Sequence, residues 1–291
     1  MQSLLIHSQV RRLETPDATL EAHVSPQPET PDAPLAVMLH GWEGSHESLY
    51  LMELSGHLFR AGFAVARLNL RDHGGTHALN AELFNSTRLR EAVDAVVLLQ
   101  RDIQPSALML CGFSLGGNFA LRIGSAAPDA LPLHAIAAIC PLVDPVAAMP
   151  VMDSLAVYRG YFLRKWRRSL HAKQAAWPER YDFTEALPLG SITEMTHYFV
   201  RRYTDYPSTE DYLNGYAVTP AVLDGLRAPT YVLMAGDDPV LPDESARLQR
   251  PDSPIELLVT ERGGHCGYLG PSAPPWFCHW ALERLRRHLY T

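Results

Sequence analysis

The chain has 291 residues, 47% of them hydrophobic and 20% charged, with a formal net charge of -7 and a pI near 6.0. That length suffices for one large domain or two small ones with a substantial core, and the acidic balance removes any general electrostatic drive toward nucleic acid. Cys111, Cys140, Cys266 and Cys278 form no C-x-x-C pair, so they read as buried or half-buried thiols in a reducing, cytoplasmic setting rather than as a disulfide framework. The opening "MQSLLIHSQVRRLE" has three consecutive apolar residues with its basic pair after them, which matches neither a secretory signal nor a membrane span.

In chain order, "SQVRRLE" and "TLEAHV", separated by Thr15-Pro16-Asp17, predict an antiparallel hairpin or meander in the first thirty residues. Pro26 to Pro34 reads as a Pro-rich connecting loop. From about residue 35, short apolar runs alternate with helix-period stretches, the pattern of parallel strands joined by crossover helices in the α/β class. "LAVMLHG" and "FAVARLNL" are strands flanking the helix "ESLYLMELSGHLFRAG", which Gly62 closes. The helix "LREAVDAVVLLQRD" follows, then strands "ALMLCG", "LHAIAAIC", "TYVLMAGDD" and "IELLVTE", and a last helix "PWFCHWALERLRRHLY" opened by Pro275.

The stretch between "AICPLVD" and "TYVLMAG" is too long for a loop, and eight of the chain's twelve tyrosines fall between Tyr158 and Tyr216. It reads as a helical lid insertion, 144–227, over the carboxyl edge of the sheet, where open α/β sheets bind ligands. The flanking core parts are 1–143 and 228–291. Within the insertion, Leu155, Tyr158, Phe162, Trp166 and Leu170 recur every three to four residues, while Arg159, Arg164, Arg167 and Arg168 lie mostly elsewhere. Such a seam suits an acyl or aryl chain, with Tyr158, Phe162 and Trp166 as candidate substrate contacts. The plainer alternative is a face packed on the sheet with solvated arginines; a basic amphipathic helix also suits contact with a membrane surface.

The chemistry centres on "ALMLCGFSLGGNFALRIGSA". An apolar run enters Gly112, and after Ser114 the residues Leu115, Phe119 and Ile123 recur at helical spacing, the strand-turn-helix setting of a nucleophile elbow. A turn that tight leaves no room for side chains two residues either side of the serine, and it places Ser114 at a helix amino terminus. A serine hydroxyl needs a base, and His265 in "TERGGHCGYLG", directly after the last strand, is best placed among thirteen histidines. The acid that orients it should end the preceding strand, where Asp237 and Asp238 both stand. Upstream, "VMLHGWEGS" runs into His40-Gly41-Trp42, so the amides of Trp42 and Leu115 form the natural pair of oxyanion donors. His73 and His77 in "RDHGGTH" are interrupted by two glycines and lack an evident third ligand, which argues against a metal.

With these residues in view, the chain from about Ala33 onward resembles the α/β-hydrolase superfamily. The motifs "HGWEGS", "LNLRDHGGT", "GFSLGGN", "DDPVLP" and "GGHCGY" together resemble those of the YheT-like esterases. The resemblance implies Ser114 as nucleophile, Asp238 as acid, His265 as general base and acid, and Trp42 with Leu115 as oxyanion hole. It also implies an α/β-hydrolase fold and cleavage of a small-molecule carboxylic ester of short or medium acyl chain, without cofactor or metal. The chain departs from an H-x4-D pattern that some relatives carry, since no histidine has an aspartate five positions on. Two other readings stand beside the serine esterase: a thioesterase or peptidase with the same triad, and a silent hydrolase fold that only binds ligand.

Overall fold

The computed structural model describes residues 2–129, 131–242, 244–249, 253–268 and 274–289. A short helix that the sequence reading did not anticipate, Gln2–Ile6 (α1), buries Leu4, whose carbonyl accepts from Ser25 Oγ at 2.9 Å. The expected hairpin follows as Gln9–Glu14 (β1) and Thr19–Ser25 (β2), with Glu14 opposite Thr19. Thr15 closes its turn, donating from both its amide and its hydroxyl to the Ala18 carbonyl.

Strand and helix then alternate: Leu35–Leu39 (β3), Leu49–Arg60 (α2), Ala64–Asn69 (β4), Leu89–Ile103 (α3), Leu108–Phe113 (β5), Leu115–Ala126 (α4) and Leu133–Ile139 (β6). Helices Pro145–Ser154 (α5), Ala156–Ala176 (α6), Ile192–Tyr203 (α7), Thr209–Asn214 (α8) and Pro220–Asp224 (α9) come next. Thr230–Ala235 (β7), Ser245–Leu248 (α10), Ile255–Thr260 (β8) and Trp276–Arg286 (α11) complete the described elements. The sequence reading extends the last helix to Tyr290, which lies outside the described residues.

The strands form one sheet in the order β1-β2-β4-β3-β5-β6-β7-β8. Pairing is parallel from β4 through β8 and antiparallel at β1 and β2. Alternation along β3 explains why both faces are dry: Leu35, Val37 and Leu39 join the core under α3 and α4, while Ala36 and Met38 join the core under α2 and α11. All four cysteines are buried and free. A third apolar cluster, including Leu163, Leu170, Phe183, Ile192 and Met195, lies wholly within the segment between β6 and β7. Among the described residues no helix is long and apolar enough to cross a membrane.

Candidate active site

At the end of β5 the backbone reverses through Ser114, which holds φ 54° and ψ -120° before α4 begins at Leu115. Few non-glycine residues occupy such a conformation, and it is sustained here by close packing. A Cβ on Gly112 would stand 2.1 Å from the Gly116 carbonyl oxygen, and one on Gly116 2.3 Å from that of Leu39. Glycine at these two positions lets the turn close. The Ser114 amide donates to Ile139 O at 3.0 Å, and its carbonyl accepts from Asn118 N and Leu142 N, so the turn is tied to β6 and the segment after it.

His265, on the loop after β8, receives the Ser114 hydroxyl at Nε2, 2.9 Å away, and donates from Nδ1 to Asp238 Oδ2 at 2.8 Å. A carboxylate accepts but does not donate, so Asp238 fixes the tautomer that leaves Nε2 as acceptor. The other oxygen, Asp238 Oδ1, accepts from the amides of Val240 and Leu241 at 2.8 and 3.1 Å. Burial disfavours the imidazolium, but the hydrogen bond and charge of Asp238 outweigh it, and the His265 pKa stands above the ordinary imidazole value. Asp237 points elsewhere: its Oδ1 accepts the amides of Gly263 and Gly264, each at 2.8 Å.

The turn after β3 lies against the serine, since a Cβ on Gly41 would be 3.3 Å from Ser114 Cβ. The Gly41 amide is already used by Tyr50 Oη at 2.9 Å. Trp42, next in the chain, and Leu115, the first residue of α4, both line the cavity that Ser114 faces. An amide at the first position of a helix has no intrahelical acceptor.

Ser114 and Leu115 form part of the wall of a cavity of about 130 Å³. Its other walls include Trp42, Met149, Phe162, Trp166, Leu170 and Phe199. Trp42 stacks on Phe162 with ring centroids 5.1 Å apart and meets Trp166 edge-on at 5.1 Å. Of the three aromatic residues expected to contact substrate, Phe162 and Trp166 line the cavity, whereas Tyr158 packs half-buried against the core on the α2 and α11 side of the sheet. It stands one turn nearer the start of α6 than Phe162.

His40 and His73 serve the scaffold. His40 Nδ1 donates to Gly41 O and its Nε2 accepts from Leu70 N, while His73 Nδ1 donates to Arg71 O and its Nε2 accepts from Glu43 N. Both imidazoles are pushed below their ordinary pKa by burial, His40 to about 4. His77 bonds Ser169 Oγ at 2.7 Å, and its carbonyl accepts from Trp177 Nε1. The "RDHGGTH" segment is thus a platform for α6.

Three participants were not singled out by the sequence reading. Lys173 is buried in α6, with Nζ 2.8 Å from Asp72 Oδ1 and donating also to Asn80 O and Glu82 O. Asn118 Nδ2 links the elbow helix to Leu142 O and Tyr216 O. Glu43 lines the cavity beside Trp42. Glu43 and Asn118 carried a signal, as polar residues inside "HGWEGS" and "GFSLGGN"; Lys173 looks like a surface polar residue until the helices are packed.

Residues 36–279 match the alpha/beta hydrolase family, and the chain belongs to it. It is 25% identical over 269 residues to the Escherichia coli protein named "Putative esterase YheT", covering 89% of this chain and 78% of that one. It is 26% identical over 275 residues to the "Medium-chain fatty acid ethyl ester synthase/esterase 2" of Saccharomyces cerevisiae, covering 84% of this chain and 60% of that one. Among solved structures, the Pyrococcus furiosus esterase Pf2001 superposes with a TM-score of 0.67 at 14% identity, over 99% of this chain and 93% of that one. By family and by these likenesses the chain is an esterase-type hydrolase of the α/β fold.

Proposed function

We propose that the protein is a serine carboxylesterase acting on short or medium acyl chains through an acyl-enzyme. The observation that carries this reading is the unbroken relay from Asp238 through His265 to Ser114, with both hydrogen bonds under 3 Å, opening on an apolar cavity. Ser114 Oγ attacks the ester carbonyl as His265 Nε2 takes its proton, and Asp238 stabilises the imidazolium that forms. The amides of Trp42 and Leu115 receive the oxyanion. His265 then returns the proton to the departing alkoxide, and the same base activates water to release the acid. Phe162, Trp166 and Phe199 receive the acyl chain, and the helical segment 144–227 acts as the roof that keeps it from water. The name of the yeast relative supports the acyl length.

A hydrolysis series on 4-nitrophenyl esters from acetate to laurate tests this reading. Turnover that rises from acetate toward the medium chains and vanishes in Ser114→Ala is expected. Equal turnover by wild type and Ser114→Ala would contradict it.

A further inference from the structure

Glu43 combines three features that its neighbours do not. Its backbone sits at φ 53°, a conformation that favours glycine. That backbone is held at both ends, the amide by His73 Nε2 at 3.2 Å and the carbonyl by Lys165 Nζ at 2.8 Å. Among the described residues, no donor forms a hydrogen bond with its carboxyl, although the residue lines the same cavity as Ser114. A glutamate placed in a conformation glycine would adopt more easily, and whose carboxyl has no hydrogen-bond partner among the described residues, is fitted for a ligand rather than for the fold.

We propose that the Glu43 carboxyl is the polar anchor of the substrate cavity, donating a hydrogen bond to an uncharged oxygen (ether, carbonyl or hydroxyl) carried by the substrate beyond its scissile ester. The proposal rests on the hydrolase reading for the word substrate, and on the cavity alone for binding. The charged and titratable groups around Glu43 are Lys165 and Lys173 from α6, Asp72 and His73 from the loop after β4, and His40 at the end of β3. Burial raises the carboxyl, Lys165 opposes this and Asp72 adds to it, leaving Glu43 with a pKa of about 8. Below that pH the group is neutral and donates; above it the group is an anion in an aromatic cavity and donates nothing. An uncharged substrate with an oxygen in the chain is therefore preferred over its all-carbon counterpart at neutral pH, and the preference fades under alkaline conditions.

Ketones that are not hydrolysed isolate binding from turnover. Dissociation constants are measured by calorimetry for 2-octanone and for its isosteres with one chain methylene, from C4 onward, replaced by an ether oxygen; C3 is left unchanged because oxygen there would make a hydrolysable ester. Wild type, Glu43→Gln and Glu43→Leu are compared at pH 6.5 and 9.5. At one oxygen position, wild type is expected to favour the ether over 2-octanone five- to tenfold at pH 6.5, the worth of one hydrogen bond, and to lose that preference at pH 9.5. Glu43→Gln keeps the preference at both pH values, because an amide donates without titrating, and Glu43→Leu has none at either. An ether preference that survives in Glu43→Leu, or that is the same in wild type at both pH values, would overturn the proposal. Should Glu43→Leu not fold, the contrast between wild type and Glu43→Gln across pH decides. Failure of wild type to hydrolyse esters would instead count against the hydrolase reading and leave the ketone ratios as they are.

Discussion

Asp237 and Asp238 are adjacent in the chain yet grip the His265 loop at different points. Asp238 meets the imidazole at 2.8 Å, while Asp237 holds the amides of Gly263 and Gly264 two residues and one residue before it. Their amide variants should separate accordingly. Asp238→Asn removes the charge that favours imidazolium and disturbs the tautomer, so kcat is expected to fall roughly 10³- to 10⁴-fold. Asp237→Asn still offers an oxygen to both amides and should cost under about tenfold. Steady-state kcat for both variants, with circular dichroism to establish folding, checks the ranking; the reverse ranking transfers the acid role to Asp237.

The same contact sets a pH dependence. The base works only when neutral, so kcat/KM should fall as pH drops through the His265 pKa, which stands above the ordinary imidazole value. In Asp238→Asn the two main influences that raise it are lost, leaving burial, which disfavours the cation, opposed by Cys140 alone. The residual activity of that variant should therefore persist to lower pH than in wild type. A pH profile of kcat/KM for both proteins reads this, and an acid limb that does not move would mean that Asp238 does not tune His265.

Trp166 stands where the roof meets the cavity, in edge contact with Trp42 and 5.3 Å from the Phe199 ring. Trp166→Ala should weaken kcat/KM for octanoate esters more than for acetate esters. Each methylene placed against the indole contributes at most about 0.8 kcal/mol of burial. Equal losses at all chain lengths would place Trp166 in the packing of α6 alone.

Lys173 joins α6 to the loop after β4 through a buried ion pair with Asp72, and burial pushes both groups toward their neutral forms. Lys173→Met leaves a buried carboxylate unpaired, so a loss of about 3–5 kcal/mol is expected in urea unfolding. Adding Asp72→Asn should recover part of that loss, because the amide needs no countercharge. A double variant no more stable than Lys173→Met would mean that the Asn80 and Glu82 carbonyls, rather than the charge, govern the joint.

Much of this was legible in the sequence because local chemistry and global position coincide there. Gly112 and Gly116 flank Ser114 at the spacing that a strand-to-helix reversal demands, and the clashes that any Cβ would meet give the reason. The parallel strands could be read from their apolar runs because both sheet faces are covered. Helix α1 was missed because five residues hold too little period to register, and it is anchored by a contact from Leu4 to Ser25 across twenty-one positions. The place of Tyr158 outside the cavity wall was not legible, because spacing along a helix tells which residues share a face, but not where along its length the cavity ends. Lys173 was invisible for a related reason: a lysine reads as solvated until three acceptors from another segment surround its ammonium.

The central claim is that Ser114 is a nucleophile activated by His265, and covalent labelling by a fluorophosphonate probe, followed by intact mass, tests it most directly. Wild type is expected to gain one probe adduct, located on the peptide that contains Ser114, and Ser114→Ala to gain none. His265→Ala should label more slowly by on the order of 10³-fold or more while remaining folded, since the hydroxyl keeps its place but loses its base. Labelling of Ser114→Ala at the wild-type rate, or of His265→Ala within tenfold of it, would contradict the account.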